Sequence, residues 1–234
     1  MVLADNMLYP CYDYRWILRT ACELGNLRIV SMMLRARADP GGFEGEPVRM
    51  AAAGGHLSVV QYLVATGADP SVQDHGPLRL AAEAGHLATV QYLVECAQAD
   101  MVALSGTLLV LAAGGGHLAT VQYLVAAGAD PRAMRRAVLR TAVCAGHLPV
   151  VKYLQSVGLP LDYSIVQAAG AGQLALVQYL VSLGRPAARY YECAFYTAVN
   201  GNHRAMVGYF ISMGHVSEPM FDCSIMSAFQ RRHY

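Results

Sequence analysis

Four histidines recur along the chain in one local pattern: His56, His86, His117 and His147 each follow a glycine and precede a leucine. Repeated imidazoles invite a metal site, yet a zinc ion needs ligand nitrogens within about 2.0–2.1 Å of it. Parallel side chains one repeat apart do not converge that closely. The row therefore predicts rings hydrogen-bonded to loop carbonyls where one helix hands over to the next, and no metal. The cysteines (Cys11, Cys22, Cys96, Cys144, Cys193 and Cys223) form no C-x-x-C pair and have no neighbouring His to complete a zinc set. They read as small buried hydrophobes in a reducing compartment. No G-x-S-x-G elbow, Walker loop, G-x-G-x-x-G turn after a strand or H-E-x-x-H helix is present. Gly114-Gly115-Gly116 reads as a helix end, and the neighbours Asp74 and His75 have no nucleophile phased to them. These residues predict no catalytic, cofactor-binding or metal-binding set, and no enzyme.

Other residues suit recognition. Arg19, Arg49, Arg79 and Arg140 fall at one phase of the pattern, with Val110, Val166 and Phe195 at that phase elsewhere. Groups at one phase of successive packed helices lie roughly 8–10 Å apart. The arginines would then form a broken row able to grip carboxylates. The same row also suits arginines that bond carbonyls or loop acids such as Asp39, Asp69 or Asp100. Arg132, Arg135, Arg136 and Arg140 crowd into nine positions, as either a solvated helix face or a docking patch for an acidic partner. Tyr62, Tyr92, Tyr123, Tyr153, Tyr179 and Tyr209 form a further row, which suits half-buried slots with wet hydroxyls. A base-stacking platform would need a basic groove around it, and few basic residues accompany these tyrosines.

Composition bounds the partners. The 234 residues are 55% hydrophobic and 14% charged, which excludes disorder over most of the length. The formal net charge is +1, so no global field draws in nucleic acid or a membrane surface. Lys152 is the only lysine among 17 basic residues, and Arg makes planar bidentate contacts that Lys cannot. Met101 to Ala129 carries no charge and exceeds the roughly 20 residues of a spanning helix. A membrane span is nevertheless not expected: Gly114-Gly115-Gly116, His117 and Gln122 interrupt the stretch, and the same pattern recurs elsewhere with charges in it. Residues 1–15 carry Asp5, Pro10 and Asp13 where a signal peptide needs a basic start and an apolar run.

All of these rows come from one internal repeat. Gly55-His56-Leu57 leads into Val60, Gln61, Tyr62, Leu63 and Val64, then Gly67-Ala68-Asp69-Pro70, and close copies start at Gly85, Gly116 and Gly146. Weaker copies start at Gly25, Gly172 and Gly201, so the anchors are 30, 30, 31, 30, 26 and 29 residues apart. Each unit predicts two helices. The first has a small body, as in Ala51-Ala52 and Ala81-Ala82, and ends at the anchor glycine in a left-handed conformation. Pro47 and Pro77 suit its first turn, and Thr107 suits an N-cap. The second carries a buried stripe at Leu57, Val60, Leu63 and Val64, and Gly67 or Gly128 ends it. One pair cannot bury both faces alone, so stacking must cover them.

The repeat resembles the ankyrin family, whose pattern T-P-L-H-x-A-A-x-x-G-H-L, apolar second helix, then G-A-D is met most fully over Pro47–Pro70 and Pro77–Asp100. The resemblance implies an all-α ankyrin-repeat solenoid with shortened loops. It implies seven repeats over residues 16–214, an N-terminal cap over 1–15 and a C-terminal half-repeat cap over 215–234. The cap reading rests on Asp222–Phe229, which aligns with Glu192–Val199. The implied function is protein–protein recognition through the concave face and short loops, by a monomeric cytoplasmic protein that takes neither nucleic acid nor membrane; the nucleus and a host-cell cytosol are the other compartments. The candidate partner-binding residues are Arg49, Arg79, Glu83, Gln73, Asp74, His75 and Arg140. Alternatives are a regulatory adaptor or host-directed effector, such as a ubiquitin-ligase substrate receptor, with a docking motif in its terminal segments, and a structural spacer. The groove floor falls at the two residues before each anchor, from Glu23-Leu24 to Val199-Asn200. Units shorter than the family's resemble those of amoebal, giant-viral and intracellular-bacterial ankyrin arrays. Their shortage lies between Asp39 and Pro47 and between Asp69 and Pro77, where a stubby turn is expected in place of the family's hairpin finger, with almost none between Gly158 and Tyr163.

Overall fold

In the computed structural model, residues 14–96, 101–161, 164–184 and 188–214 are described. The expected terminal caps, apart from residues 14 and 15, lie outside them. The described residues form helices and no strand. In chain order these are α1 (Tyr14–Glu23), α2 (Leu27–Arg35), α3 (Gly42–Ala53), α4 (Leu57–Ala65), α5 (Val72–Ala84), α6 (Leu87–Cys96) and α7 (Met101–Gly114). They continue as α8 (Leu118–Ala126), α9 (Arg135–Ala145), α10 (Leu148–Ser156), α11 (Ser164–Gly170), α12 (Leu174–Ser182), α13 (Ala188–Asn200) and α14 (Arg204–Ser212). None of them is long and apolar enough to cross a membrane. The charge-free stretch is two helices, α7 and α8, broken at Gly115–His117.

The chain divides into two compact units, with the boundary inside α7 between Leu104 and Ser105. In the first, α1, α3 and α5 pack side by side, and α2, α4 and α6 form a second layer behind them. In the second, α9, α11 and α13 form the first layer, and α8 packs against α10 in the other.

The interior follows from small and branched residues at fixed phases. Ala51, Ala52, Ala81, Ala82, Ala168 and Ala169 are fully buried, so the first-layer helices approach closely. In the second layer the buried set is Val59, Val60 and Leu63 in α4, and Val150, Val151 and Leu154 in α10. This corrects the expected stripe: Leu57 and Val64 are only half-buried, and Val59 is fully buried in their place. The buried face is centred one residue away because α4 is covered by the first layer on one side and by α2 and α6 on its flanks.

At the position of Val59 and Val150, α6 and α8 carry Thr89 and Thr120, whose Oγ1 atoms are buried without a hydrogen-bond partner. An unsatisfied buried hydroxyl costs free energy that an isosteric methyl does not. Thr89→Val and Thr120→Val should therefore each raise stability by about 1 kcal/mol, read as a higher urea midpoint. A lower midpoint would mean that the hydroxyl is satisfied in solution.

Three local expectations change. Thr107 is not an N-cap, because α7 already begins at Met101 and carries Thr107 in its interior. The last anchor is Asn202, not Gly201: Asn202 holds the left-handed φ of 56°, as Gly55 does at 73°. That restores a spacing of 30 residues from Gly172 and moves Tyr196 (39% exposed) to the phase of Arg49, while Phe195 (1% exposed) lies in the core. The expected stubby turns are single left-handed turns: Phe43, Glu44 and Gly45 have φ of 56°, 56° and 71°, and Gln73, Asp74 and His75 have 52°, 54° and 57°. A Cβ on Gly45 would lie 2.4 Å from Val72 Cγ1, so this turn packs too closely on the next for any side chain there. The right-handed run of α3 starts only after Gly45, which leaves Pro47 in its first turn.

Candidate partner-binding site

The handover from each first-layer helix to its partner fixes what faces outward. The His56 N–H closes α3 by donating to the Ala51 carbonyl at 2.9 Å, over the left-handed Gly55. The His56 ring does not cap α4 but reaches the preceding pair, where Nε2 lies 2.9 Å from the Glu23 carbonyl. His86 bonds the Ala53 carbonyl at 3.0 Å, His147 that of Gly114 at 2.9 Å, and His203 that of Gly170 at 2.9 Å. A carbonyl only accepts, so Nε2 carries the hydrogen in each case. Gln173 makes the same bond to the Cys144 carbonyl at 3.1 Å. Asn26, at this position in the first described pair, instead turns inward and caps α2 through Ile29 N–H at 3.1 Å.

The rings also lie on the glycines. A Cβ on Gly55 would sit 2.4 Å from His86 Nδ1, and one on Gly116 would sit 2.4 Å from His147 Nδ1. The anchor glycine is thus required twice, by its φ and by the imidazole stacked on it. The carbonyls of Glu23, Ala53, Gly114, Cys144 and Gly170 are consumed by this clasp. The floor then offers side chains and small surfaces: Glu23, Leu24, Gly54, Glu83, Ala84, Gly115, Cys144 and Ala145 are exposed. With the anchor at Asn202, the last floor pair is Asn200-Gly201 rather than Val199-Asn200, and both are exposed.

The candidate residues fall in two separate sets. Arg49, Gln73, Asp74, His75, Arg79 and Glu83 belong to the first unit, and Arg140 to the second. In the first set Arg79 Nη1 lies 3.4 Å from Asp74 Oδ2, an exposed pair, and the Gln73 amide donates to Glu44 Oε2 across successive turns. His75 is half-buried with its Nδ1 unpartnered. Arg49 runs along the next turn: a Cβ on Gly76 would lie 3.6 Å from its Cδ and Nε. Glu83 is exposed, one helical turn beyond Arg79 on α5.

The named loop acids Asp39 and Asp69 do not hold the arginines. Asp39 accepts from Gly41 N–H at 2.9 Å, and Asp69 from Ser71 N–H at 2.8 Å and Ser71 Oγ at 2.6 Å. The Ser71 bonds hold the Asp69 carboxyl below the usual carboxylate range. Asp100 lies outside the described residues. Arg19 pairs with Glu46 at 3.3 Å. The tyrosines of the second-layer helices are half-buried, and Tyr179 donates from its hydroxyl to Gln155 Oε1. The cysteines differ from one another: Cys22 is buried, which pushes its thiol up to about 12, whereas Cys144 and Cys193 are exposed, contrary to expectation. No group of three or more His, Cys, Asp or Glu placed to hold a metal occurs among the described residues.

A family profile described as ankyrin repeats (3 copies) matches residues 18–105 and again residues 78–165, which together exceed half of the chain. The chain belongs to the ankyrin-repeat family. Comparison with curated proteins finds no match. The helix-pair stacking within each unit is the ankyrin pattern, and ankyrin architecture is a non-catalytic scaffold that generally serves protein–protein interaction. In this ankyrin chain the clasp joins neighbouring repeats, so His86→Ala should lower stability by about 0.5–1.5 kcal/mol through the Ala53 carbonyl left without its partner. His86→Gln should recover part of that loss, since Gln173 already makes the same bond. Equal thermal midpoints for His86→Ala and the parent would contradict this role.

Proposed function

We propose that this ankyrin chain recognises a partner protein with the exposed ends of its first-layer helices and the short turns before them. Arg49, Gln73, Asp74, His75, Arg79, Glu83 and Arg140 are the contact residues. The reading takes the chain as monomeric, cytoplasmic and free of nucleic-acid or membrane partners, with short units like those of amoebal, giant-viral and intracellular-bacterial ankyrin arrays. One observation supports it most: the stack is held by buried alanines, valines and leucines and by the imidazole clasp, and Arg49, Gln73, Asp74, Arg79 and Arg140 belong to neither. Arg49 and Arg140 have no ion pair among the described residues, and the Arg79–Asp74 pair is exposed to water, where such pairs add little stability.

The test is a combined charge reversal, Arg49→Glu, Arg79→Glu and Arg140→Glu. Partner capture from the native cell should fall about tenfold or more, with the circular dichroism spectrum and thermal midpoint near those of the parent. Undiminished capture of the same protein would refute the assignment.

A further inference from the structure

The two units differ in charge. Residues 1–104 hold 7 basic and 11 acidic side chains, and residues 105–234 hold 10 and 5. In the second unit the excess is concentrated beside a groove of about 640 Å³ where the start of α9 faces α11. Its walls are Arg135, Arg136 and Arg140, with Leu139, Pro160 and Gln167 between them. The three arginines are exposed, and none of them has an ion pair among the described residues. Asp130, the nearest preceding acid, is turned to Arg132 N–H at 2.9 Å. Asp162 lies outside the described residues. The first turn of α9 carries Arg135 and Arg136 with no acid, on a helix end that already favours negative charge, and Met134 supplies no side-chain cap.

The groove is open because the repeat is short. In the first unit, the turn before α5 lies along Arg49 and screens it. Arg140 stands at the same phase, but the anchors that follow it, Gly146 and Gly172, are only 26 residues apart. Between α10 and α11 the chain turns inward at Leu159 and Leu161, both buried, and Arg140 stays exposed.

We propose that this groove docks an acidic peptide segment of the partner, with two or more carboxylates on Arg135, Arg136 and Arg140 and an apolar side chain against Leu139 and Pro160. Guanidinium forks match carboxylates bidentately, and a groove of this volume is in the range that holds a few side chains. Single-stranded nucleic acid is the poorer fit, because it binds through aromatic stacking platforms and no aromatic residue lines this groove among the described residues. The assignment rests on the recognition reading above and narrows it to one chemistry.

A fluorescein-labelled peptide with glutamates flanking one leucine, titrated into the full chain by anisotropy, tests it. The peptide should bind, weaken steeply with added salt, and lose about tenfold or more in affinity when Arg135, Arg136 and Arg140 are all changed to Glu. Arg140→Gln alone guards against misfolding of the triple variant and should weaken binding severalfold, while Lys152→Glu on α10 should leave it unchanged. The glutamine version of the peptide should not bind. Equal binding by the parent and Arg140→Gln, equal binding of the glutamine peptide, or tighter binding of a single-stranded RNA oligomer would overturn the proposal. So would a dimer that Arg140→Gln dissociates, since a second copy would then fill the groove. Absence of peptide binding alongside normal partner capture removes the acidic-segment proposal and leaves the recognition function standing.

Discussion

Truncation of Leu63 to alanine is expected to lower stability by about 2–5 kcal/mol, read as a lower urea midpoint. Leu63 is fully buried in α4, which packs against α3 in the first layer and against α2 and α6 on either side. Loss of its methyl groups removes transfer free energy and leaves a cavity that close-packed neighbours cannot collapse to fill. The effect should also spread to the neighbouring pairs on both sides. Repeats contact only their neighbours, so stability is roughly a sum of intrinsic and nearest-neighbour terms. Amide exchange should therefore accelerate in α2 and α6 along with α4. Acceleration confined to α4 would mean that adjacent pairs do not depend on one another.

Gly55→Ala should be nearly as damaging, at about 2–4 kcal/mol. The left-handed φ of 73° costs an alanine about 1–2 kcal/mol. The new methyl would also lie 2.4 Å from His86 Nδ1, which forces the ring off the Ala53 carbonyl. Gly67→Ala is the control: its φ is 108° and nothing lies within 4 Å of a Cβ there, so only the backbone cost applies. If the ring is the second cause, Gly55→Ala and His86→Ala should be non-additive by about 1 kcal/mol or more, because the double variant has no ring to displace. Strict additivity would show that the imidazole does not press on the glycine.

Much of this was legible in the residues. The anchor glycines, small first helices and apolar second helices give the helix pairs, because local conformational limits and burial act at fixed spacing. The imidazole bond to a carbonyl was legible because metal geometry excluded the other use of evenly spaced histidines. His203 and Gln173, which make the same bond, were missed because the repeat was anchored at Gly201, and Gln is not a histidine. The 30-residue step from Tyr179 to Tyr209 carried the correct register. Val59 was missed because apolar periodicity marks a stripe but not its centre, which depends on what flanks the helix. The left-handed turns at Phe43–Gly45 and Gln73–His75 were not legible, since Gly45 alone among their residues adopts that conformation at no steric cost. Nor was the difference between Arg49 and Arg140: both stand at one phase, and only the following turn decides which is screened.

The recognition account is tested most directly by where a bound partner touches the chain. A photo-crosslinking amino acid would be placed in turn at Glu83 and Arg140 on first-layer helices, and at Gln91 and Lys152, which are exposed on second-layer helices. The account predicts partner adducts from Glu83 and Arg140 and none from Gln91 or Lys152. Adducts from Gln91 and Lys152 alone would contradict it, because the partner would then sit against the second-layer helices.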